Sequence, residues 1–254
     1  MCYDCVLVSS HARFFTGDYL TRKVTIAVLC ACAIVVVTLK SFAASHGQAN
    51  GGWTWRTVRE RLDDEAKDFR GLSADVERTK VTVVVNDHST ETGDIFVRGD
   101  KMLLEIKAPD PRTILRTGDN LYIYTPGLKR VEEYNLGKNR SLVEQFLMLG
   151  FGTRGDDLQK AFLVTFLREE KIEDKKTVVL ELTPKSEQVR NQFSKIEIWL
   201  DESTWLPLQQ QFFEAGSGDY SIVRYSRLVR NADVSDSKFK PHWPKGTEKV
   251  KPQG

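Results

Sequence analysis

Cysteine is absent from most of this 254-residue sequence, because all four cysteines lie before residue 33. Residues 33–254 can therefore form neither a disulfide framework nor a thiolate metal site. Histidine is nearly as scarce: beyond His11 and His46, only His88 and His242 are present. We expect His88 in a hairpin turn and His242 in a polar tail, and neither position suits a Ser-His-Asp catalytic triad.

Motifs typical of enzymes and cofactor-binding proteins are also missing. The sequence contains no His-Glu-x-x-His zinc motif, no phosphate-binding P-loop and no Rossmann glycine pattern. Residues 233–236 read Asp-Val-Ser-Asp, without the glycine and the distal glutamate of a calcium-binding EF-hand loop. The sequence therefore predicts a protein without a metal or cofactor and without catalytic activity.

Charge of one sign is not in excess. Residues 45–254 contain 33 basic and 33 acidic residues, which leaves no electrostatic footprint for nucleic acid. Hydrophobic residues make up 41% of the chain, which is enough for a sizeable core and too much for a disordered protein. We therefore expect a globular domain that does not bind nucleic acid.

A long apolar run, residues 24–39, follows Arg22 and Lys23 near the start of the chain. It is shorter than the roughly 20 residues that a membrane-spanning helix needs. A basic flank, a short apolar run and small residues after it are typical of a secretory signal peptide. We predict that the mature chain begins near Ala44 or Ser45.

Two other interpretations of this leader remain open. Residues 29–32 read Leu-Cys-Ala-Cys and resemble a lipobox, which would place a lipid on Cys32. The apolar run could instead stay uncleaved as a membrane anchor. Each interpretation makes residues 1–44 a signal peptide or N-terminal anchor and places the rest outside the cytoplasm. Residues 45–254 are then expected to form the folded domain, with a polar, loosely held tail from residue 232.

Hydrophobic periodicity predicts that this domain is mainly β. An amphipathic helix comes first, because apolar residues recur at positions 55, 58, 62, 66 and 69. About eleven strands follow, each bounded by turn residues. They are predicted at residues 72–85, 91–99, 101–107, 112–117, 120–125, 129–135, 162–171, 176–184, 193–200, 206–214 and 219–229. The short connections permit hairpins but not parallel crossovers, so we expect an antiparallel meander that is long enough to curl.

A second helix is predicted between the two groups of strands. Ser141 and Glu144 fit a capping box, and residues 145–152 carry no charge. A helix on the protein surface would show a polar face. Residues 142–151 are therefore predicted to cover an apolar surface as a mobile lid.

The apolar surface under this lid is predicted to lie on consecutive hairpin strands. Side chains that alternate along those strands point to one face of the sheet. The candidate residues for binding an apolar ligand are Phe96, Met102, Leu104, Ile106, Ile114, Leu121, Ile123, Phe146, Leu147 and Leu149. The alternative for each of them is a packed core without a ligand.

An ordered series of short motifs points to a family. Residues 93–98 read Gly-Asp-Ile-Phe-Val-Arg, residues 118–126 read Gly-Asp-Asn-Leu-Tyr-Ile-Tyr-Thr-Pro, and residues 198–208 carry Ile-Trp-Leu-Asp before Trp-Leu-Pro-Leu. Over residues 55–250 the sequence resembles the periplasmic outer-membrane lipoprotein carriers, the LolA-like proteins.

This resemblance implies a half-open antiparallel barrel of eleven strands with helices covering its concave hydrophobic face. It also implies a monomeric periplasmic carrier, which takes lipoprotein acyl chains from an inner-membrane lipoprotein-releasing transporter to an outer-membrane receptor. An arginine holds the lid closed in such proteins; Arg98 is its counterpart here, and a solvated hairpin arginine is the alternative. Two other functions stay open for the same fold: a membrane-anchored lipoprotein acceptor, and a regulatory domain that senses lipoproteins through a protein partner. A hydrolase with an unrecognised site is a third alternative.

Overall fold

A computed structural model describes residues 52–137 and 148–252. Its strands are β1 (Gly71–Thr82), β2 (Asp87–Arg98), β3 (Lys101–Ala108), β4 (Arg112–Thr117), β5 (Asn120–Thr125), β6 (Arg130–Asn135), β7 (Phe162–Ile172), β8 (Lys175–Pro184), β9 (Phe193–Asp201), β10 (Pro207–Glu214), β11 (Tyr220–Arg230) and β12 (Glu248–Val250). The helices are α1 (Trp55–Lys67), α2 (Gly155–Ala161) and α3 (Glu187–Arg190), with 3-10 turns at Val83–Val85, Pro126–Leu128 and Asp236–Phe239.

The twelve strands form one sheet in the order β12-β6-β5-β4-β3-β2-β1-β11-β10-β9-β8-β7. Two hairpin meanders, β1–β6 and β7–β11, are joined by the antiparallel pairing of β1 with β11. β12 is the exception, because it runs parallel to β6. A twisted sheet of this length curls, and its two edge strands, β12 and β7, do not pair with each other. The predicted fold class, a curled half-open antiparallel barrel, is confirmed.

The helix α1 forms where the periodicity predicts one. Its N-cap is Thr54, whose side chain accepts a hydrogen bond from the backbone N–H of Thr57. Val58 and Leu62 are buried on the same side of the helix, because residues four apart share a helix face. No helix among the described residues is long and apolar enough to cross a membrane.

The inner face of the sheet, defined here as the face on which α1, α2 and residues 148–151 pack, carries two apolar clusters. The first joins α1 and α2 to β7–β9 and contains Val58, Leu62, Leu149, Leu158, Phe162, Val178, Leu180, Leu182, Ile196, Ile198, Leu200 and Trp205. The second joins β1–β3 to Phe151 and Leu206 and also contains Leu72, Ala74, Val76, Ile95, Val97 and Met102. These clusters make the inner face the main apolar surface of the described residues.

The C-terminal segment, residues 232–250, packs on the opposite, outer face. Val234 and Phe239 are buried with Leu103 and Leu115, and the ring of Trp243 lies 5.1 Å from that of Tyr124. Pairing of β12 with β6 holds its far end. The expectation of a loosely held tail is therefore wrong for this segment. Its few apolar residues are separated by polar ones, so no periodicity reveals that each fills a site on β3–β5.

Helix α2 is a second difference from the sequence-based prediction, which placed neither a helix nor a strand between residues 152 and 161. Gly155 lies so close to Arg59 of α1 that a β-carbon there would clash. Asp156 and Asp157 occupy the first turn of α2, where carboxylates interact favourably with the helix dipole. Contact with α1 therefore stabilises a helix that is too short to form alone.

The predicted leader and most of the predicted lid lie outside the described residues. This applies to residues 1–51, so the boundary near residue 44 stays a prediction. It also applies to residues 142–147, and therefore to Phe146 and Leu147.

Candidate ligand-binding site

A cleft of about 620 Å³ opens between the C-terminal end of α1 and the start of α2. Ala66, Phe69, Met148 and Phe151 give it an apolar lining. Its remaining lining residues are Gly99, Gly152, Thr153, Arg154, Asp157 and Lys160. A cleft with an apolar interior and charged residues beside it suits an amphiphilic ligand better than a small polar one.

One wall of this cleft is the cleft loop, residues 148–153. The backbone N–H of Phe151 donates to the Met148 carbonyl at 2.9 Å. The Thr153 hydroxyl donates to the same carbonyl at 2.8 Å and accepts from the Gly150 N–H at 3.2 Å. Gly150 and Gly152 have φ values of +81° and +66°, a region that favours glycine. The loop is therefore a compact turn built around two glycines.

Behind the cleft loop lies a polar pair, Gln210 and Tyr225. The Gln210 amide donates from Nε2 to the Leu149 carbonyl at 2.6 Å, and its Oε1 accepts from the Tyr225 hydroxyl at 2.9 Å. The ring of Phe151 packs edge-on against Tyr225 at 5.1 Å. Burial raises the pKa of Tyr225, so its hydroxyl stays neutral. The pair therefore attaches the cleft loop to the middle of the sheet.

Arg230, at the end of β11, attaches the C-terminal end of α1. Its guanidinium donates to the Glu65 carbonyl at 2.7 Å and to the Thr204 carbonyl at 2.9 Å. It also forms a 3.0 Å salt bridge with the Glu65 carboxylate and lies 6.0 Å from the centre of the Phe69 ring. Hydrogen bonds from a cation to backbone carbonyls are strong ones. Arg230 therefore fixes the end of α1 that borders the cleft.

Arg98, the predicted lid lock, lies at the end of β2. It is exposed, donates to the Val234 carbonyl at 2.6 Å and lies 3.8 Å from the Asp236 carboxylate. Lys101 contacts the same carboxylate at 2.8 Å, and the two cations lower the pKa of Asp236. Among the described contacts, Arg98 therefore holds the C-terminal segment rather than α1 or the cleft loop.

Most of the predicted ligand-binding residues share the inner face. The pairing register places Leu104 opposite Ile114 and Ile114 opposite Ile123. Met102 and Ile106 are buried, whereas Leu104, Ile114, Leu121 and Ile123 are half-buried. Leu149 is fully buried in the first apolar cluster. The structure thus brings the predicted residues of β3–β5 together on one surface.

Phe96 does not belong to that surface. It lies between Ile95 and Val97 on β2, and neighbouring residues on a strand point to opposite faces. Its ring packs with the outer-face cluster, and the Lys238 ammonium lies 3.8 Å from its centre. Phe96 therefore contacts the C-terminal segment, away from the other candidate residues.

Several residues of the site are absent from those predicted from the sequence, for identifiable reasons. Phe69 lies in the predicted first helix and Phe151 in the predicted lid, but neither is among the candidate ligand-binding residues. Gln210 was detectable, because it takes an inward position on β10 between two apolar residues, Leu208 and Phe212. A polar residue in an apolar alternation indicates a buried hydrogen bond. Arg230 offered no such signal, since its contacts depend on the long-range pairing of β11.

Metal binding was considered for the part of the chain that the structure describes. Within residues 52–137 and 148–252, no three His, Cys, Asp or Glu side chains are grouped so that they could hold a metal ion. The chemistry that this arrangement supports is the burial of apolar surface.

Comparison with known proteins gives a family and a fold. Residues 98–241 match a family model described as "Uncharacterized protein", and no curated protein matches the chain. An uncharacterized conserved protein from Thermus thermophilus is 9% identical with a TM-score of 0.52, over 78% of this chain and 98% of that one. A DUF1329 family protein from Desulfovibrio piger is 14% identical with a TM-score of 0.42, and the match covers 73% of this chain and 95% of that one. A LolA superfamily protein from Nitrosomonas europaea is 17% identical with a TM-score of 0.40, and the match covers 75% of this chain and 99% of that one.

The fold that the resemblance to LolA-like proteins implies is the fold observed. The shared architecture is the curled sheet of antiparallel hairpins with helices on its inner face. At these identities the comparison supports the fold alone.

Proposed function

The chain belongs to the family whose model matches residues 98–241, and on that premise we propose that it carries the acyl chains of lipoproteins. The chains would enter between the inner face and its covering helices. The observation that carries this proposal is the half-buried surface of Leu104, Ile114, Leu121 and Ile123 on the same face as the cleft. Side chains that keep part of their surface exposed can contact a ligand, whereas the fully buried residues of the first apolar cluster cannot.

Burial alone can supply the affinity. Each methylene removed from water contributes about 0.8 kcal/mol, so ten methylenes of an acyl chain contribute about 8 kcal/mol. Part of this is lost to the ordering of ligand and protein. The remainder is compatible with a carrier, which has to bind its cargo and then release it. The proposal therefore requires no chemical step, and we expect the protein to have no catalytic activity.

The proposed route is the one that the sequence resemblance implies. The apolar run at residues 24–39 supports export into the periplasm. There the protein would receive lipoproteins from an inner-membrane lipoprotein-releasing transporter and deliver them to an outer-membrane receptor. A signal peptide that is cleaved near residue 44 favours this soluble shuttle. An acylated Cys32 or a retained anchor would favour the membrane-anchored acceptor, and intact mass of the exported protein distinguishes them.

Binding of a synthetic diacylated lipopeptide to the purified protein tests the proposal. We expect Ile123→Asp to weaken binding at least tenfold, because it puts a charge on the apolar inner face. Leu128→Asp is the matched control, since Leu128 is 69% exposed at the neighbouring turn, and it should bind like the parent. Far-UV circular dichroism confirms that both variants are folded. Equal affinity of the two folded variants would exclude the inner face as the binding surface.

A further inference from the structure

The polar pair interrupts an otherwise apolar part of the inner face. Gln210 is 3% exposed and lies on β10 opposite Ile198 on one side and Val223 on the other. A buried amide in such surroundings is costly unless its hydrogen bonds are made. Gln210 meets this requirement through Leu149 and Tyr225.

The orientation of the Gln210 amide is fixed by its two partners. The Leu149 carbonyl can only accept a hydrogen bond, so the NH₂ group of Gln210 has to face it. Oε1 then faces the Tyr225 hydroxyl, which donates to it at 2.9 Å. The pair therefore presents a hydrogen-bond donor towards the cleft loop.

The cleft loop stands between this donor and the cleft. Met148 and Phe151 line the cleft, while the Leu149 carbonyl between them accepts from Gln210. A displacement of the loop from the sheet would join the cleft to the polar pair. It would also remove the acceptor from Gln210 inside an apolar surface, unless the ligand supplied another acceptor.

We propose that Gln210, oriented by Tyr225, recognises a carbonyl oxygen of an ester- or amide-linked acyl chain. The ligand carbonyl replaces the carbonyl of Leu149, so one hydrogen bond is exchanged for an equivalent one. This inference rests on the proposed function and adds the chemical group that the site recognises, the carbonyl of the acyl linkage. A free fatty acid suits the site less well, because its carboxylate would bring an uncompensated charge into an apolar wall.

A comparison of ester and ether lipids tests the carbonyl directly. A diacylglycerol and a dialkylglycerol with the same chain lengths differ only in the two carbonyl groups. We expect the full-length protein to bind the diacylglycerol about tenfold more tightly, the ratio that one hydrogen bond at a buried site provides. Affinities are measured by displacement of a fluorescent fatty-acyl probe.

Variants on one strand assign the preference to Gln210. Gln210→Leu should lose the ester preference by binding the ether lipid more tightly than the parent does, because no buried donor is then left without an acceptor. Gln211→Leu is the matched control, because it removes the same side chain one residue along, on the outer face, and it should keep the preference. Tyr225→Phe retains the ring against Phe151 but removes the hydroxyl that orients the amide, so it should reduce the preference.

The outcomes separate this inference from the function on which it rests. If the parent protein binds both lipids with equal affinity, or if folded Gln210→Leu and Tyr225→Phe keep the tenfold ratio, carbonyl recognition by the pair is excluded. Such results would leave acyl-chain binding intact. If neither lipid binds, the carrier function itself fails and the inference fails with it. If Gln210→Leu does not fold, the ester-to-ether affinity ratios of the parent protein and of Tyr225→Phe still test carbonyl recognition.

Discussion

The side chain of Arg230 connects three parts of the structure: β11, α1 and the loop before β10. Its charged hydrogen bonds to two backbone carbonyls leave the side chain only 21% exposed. Each hydrogen bond that involves a charged group contributes about 1.5–3 kcal/mol. A residue that tethers one end of a helix so strongly should control how often that end opens.

We predict that Arg230→Met destabilises the protein by about 2 kcal/mol and speeds amide hydrogen exchange in the last turn of α1. The first half of α1 should change less, because Thr54 caps it independently. Arg227→Met is the control on the same strand, since Arg227 is 80% exposed in its ion pair with Asp75 and such pairs contribute little. Uniform exchange along α1 in both variants would contradict a local role for Arg230.

Glu91 gives a residue-scale prediction about pH. It accepts hydrogen bonds from Arg112 at 2.8 and 2.7 Å and from Arg78 at 3.2 Å. The Arg112 hydrogen bonds and the charges of both arginines outweigh burial and lower the pKa of Glu91 from its ordinary 4.5. The folded state therefore binds its proton more weakly than the unfolded chain does. Stabilisation by ionised Glu91 is complete above pH 4.5, the ordinary pKa of the group. It is lost as the pH falls through the lowered pKa that Glu91 has in the folded protein.

We expect Glu91→Gln to lower the free energy of unfolding by about 1 kcal/mol at pH 7. The difference from the parent should shrink as the pH falls below 4.5, because the unfolded parent chain then takes up a proton at Glu91, followed at lower pH by the folded protein. Urea unfolding at several pH values measures it. Glu77→Gln removes an exposed carboxylate 3.6 Å from Arg224 and should have little effect at any pH. A loss for Glu91→Gln that is independent of pH would show that its charge is not the cause.

At the scale of elements, the cleft loop depends on Gly150 for two separable reasons. Its φ of +81° is unfavourable for other residues, and a β-carbon there would lie 2.6 Å from Ile198 Cδ1. Gly216 has the same φ, but a β-carbon there would meet nothing within 4 Å. The two glycines therefore separate backbone strain from crowding.

We predict that Gly216→Ala costs about 1 kcal/mol, the strain alone. Gly150→Ala should cost at least about 1 kcal/mol more, because crowding at a packed site adds to strain. It should also displace the loop from the sheet and change the affinity for an acyl ligand, whereas Gly216→Ala should not. Denaturant unfolding and ligand titration measure both effects. Equal losses in the free energy of unfolding for the two variants would mean that the loop shifts to accommodate the new methyl group without added cost.

The elements themselves were largely predictable from the sequence. Alternating apolar residues between turn signals located eleven strands, and those at 112–117 and 120–125 match β4 and β5 to the residue. Short-range patterns did not reveal β12 or α2. Three-residue β12 exists only because β6 lies beside it, and α2 depends on α1. Such elements are stabilised by neighbours that are distant in sequence, and no local pattern encodes them.

At the scale of the whole molecule, the pairing of β1 with β11 decides how the site is assembled. It joins residues about 150 positions apart, such as Val76 and Tyr225, and brings the two hairpin meanders into one sheet. The inward alternation of β3–β5 was predictable, because period-2 patterns persist along each strand. The location of the cleft, the contact of Gln210 with Leu149 and the contacts of Arg230 with α1 were not predictable, since each joins residues that are distant in sequence.

This assembly gives the inner face a fully buried part and a half-buried part. Leu180 on β8 is 0% exposed in the first cluster. Leu104 and Ile123, on the other meander, are half-buried on the same face. A packed core and a ligand surface respond differently to truncation, because removing a buried side chain leaves a cavity, whereas an open surface has no filled volume to lose.

We therefore predict that Leu180→Ala destabilises the protein by about 2–5 kcal/mol. Leu104→Ala and Ile123→Ala should cost only about 1 kcal/mol each, since they remove half-buried surface. The same two variants should weaken binding of a diacylated lipopeptide several-fold, and Leu180→Ala should bind normally wherever it remains folded. Urea unfolding and ligand titration on all three give the comparison. Large stability losses at Leu104 and Ile123 with unchanged affinity would place both residues in a packed core and remove the surface that the carrier function requires.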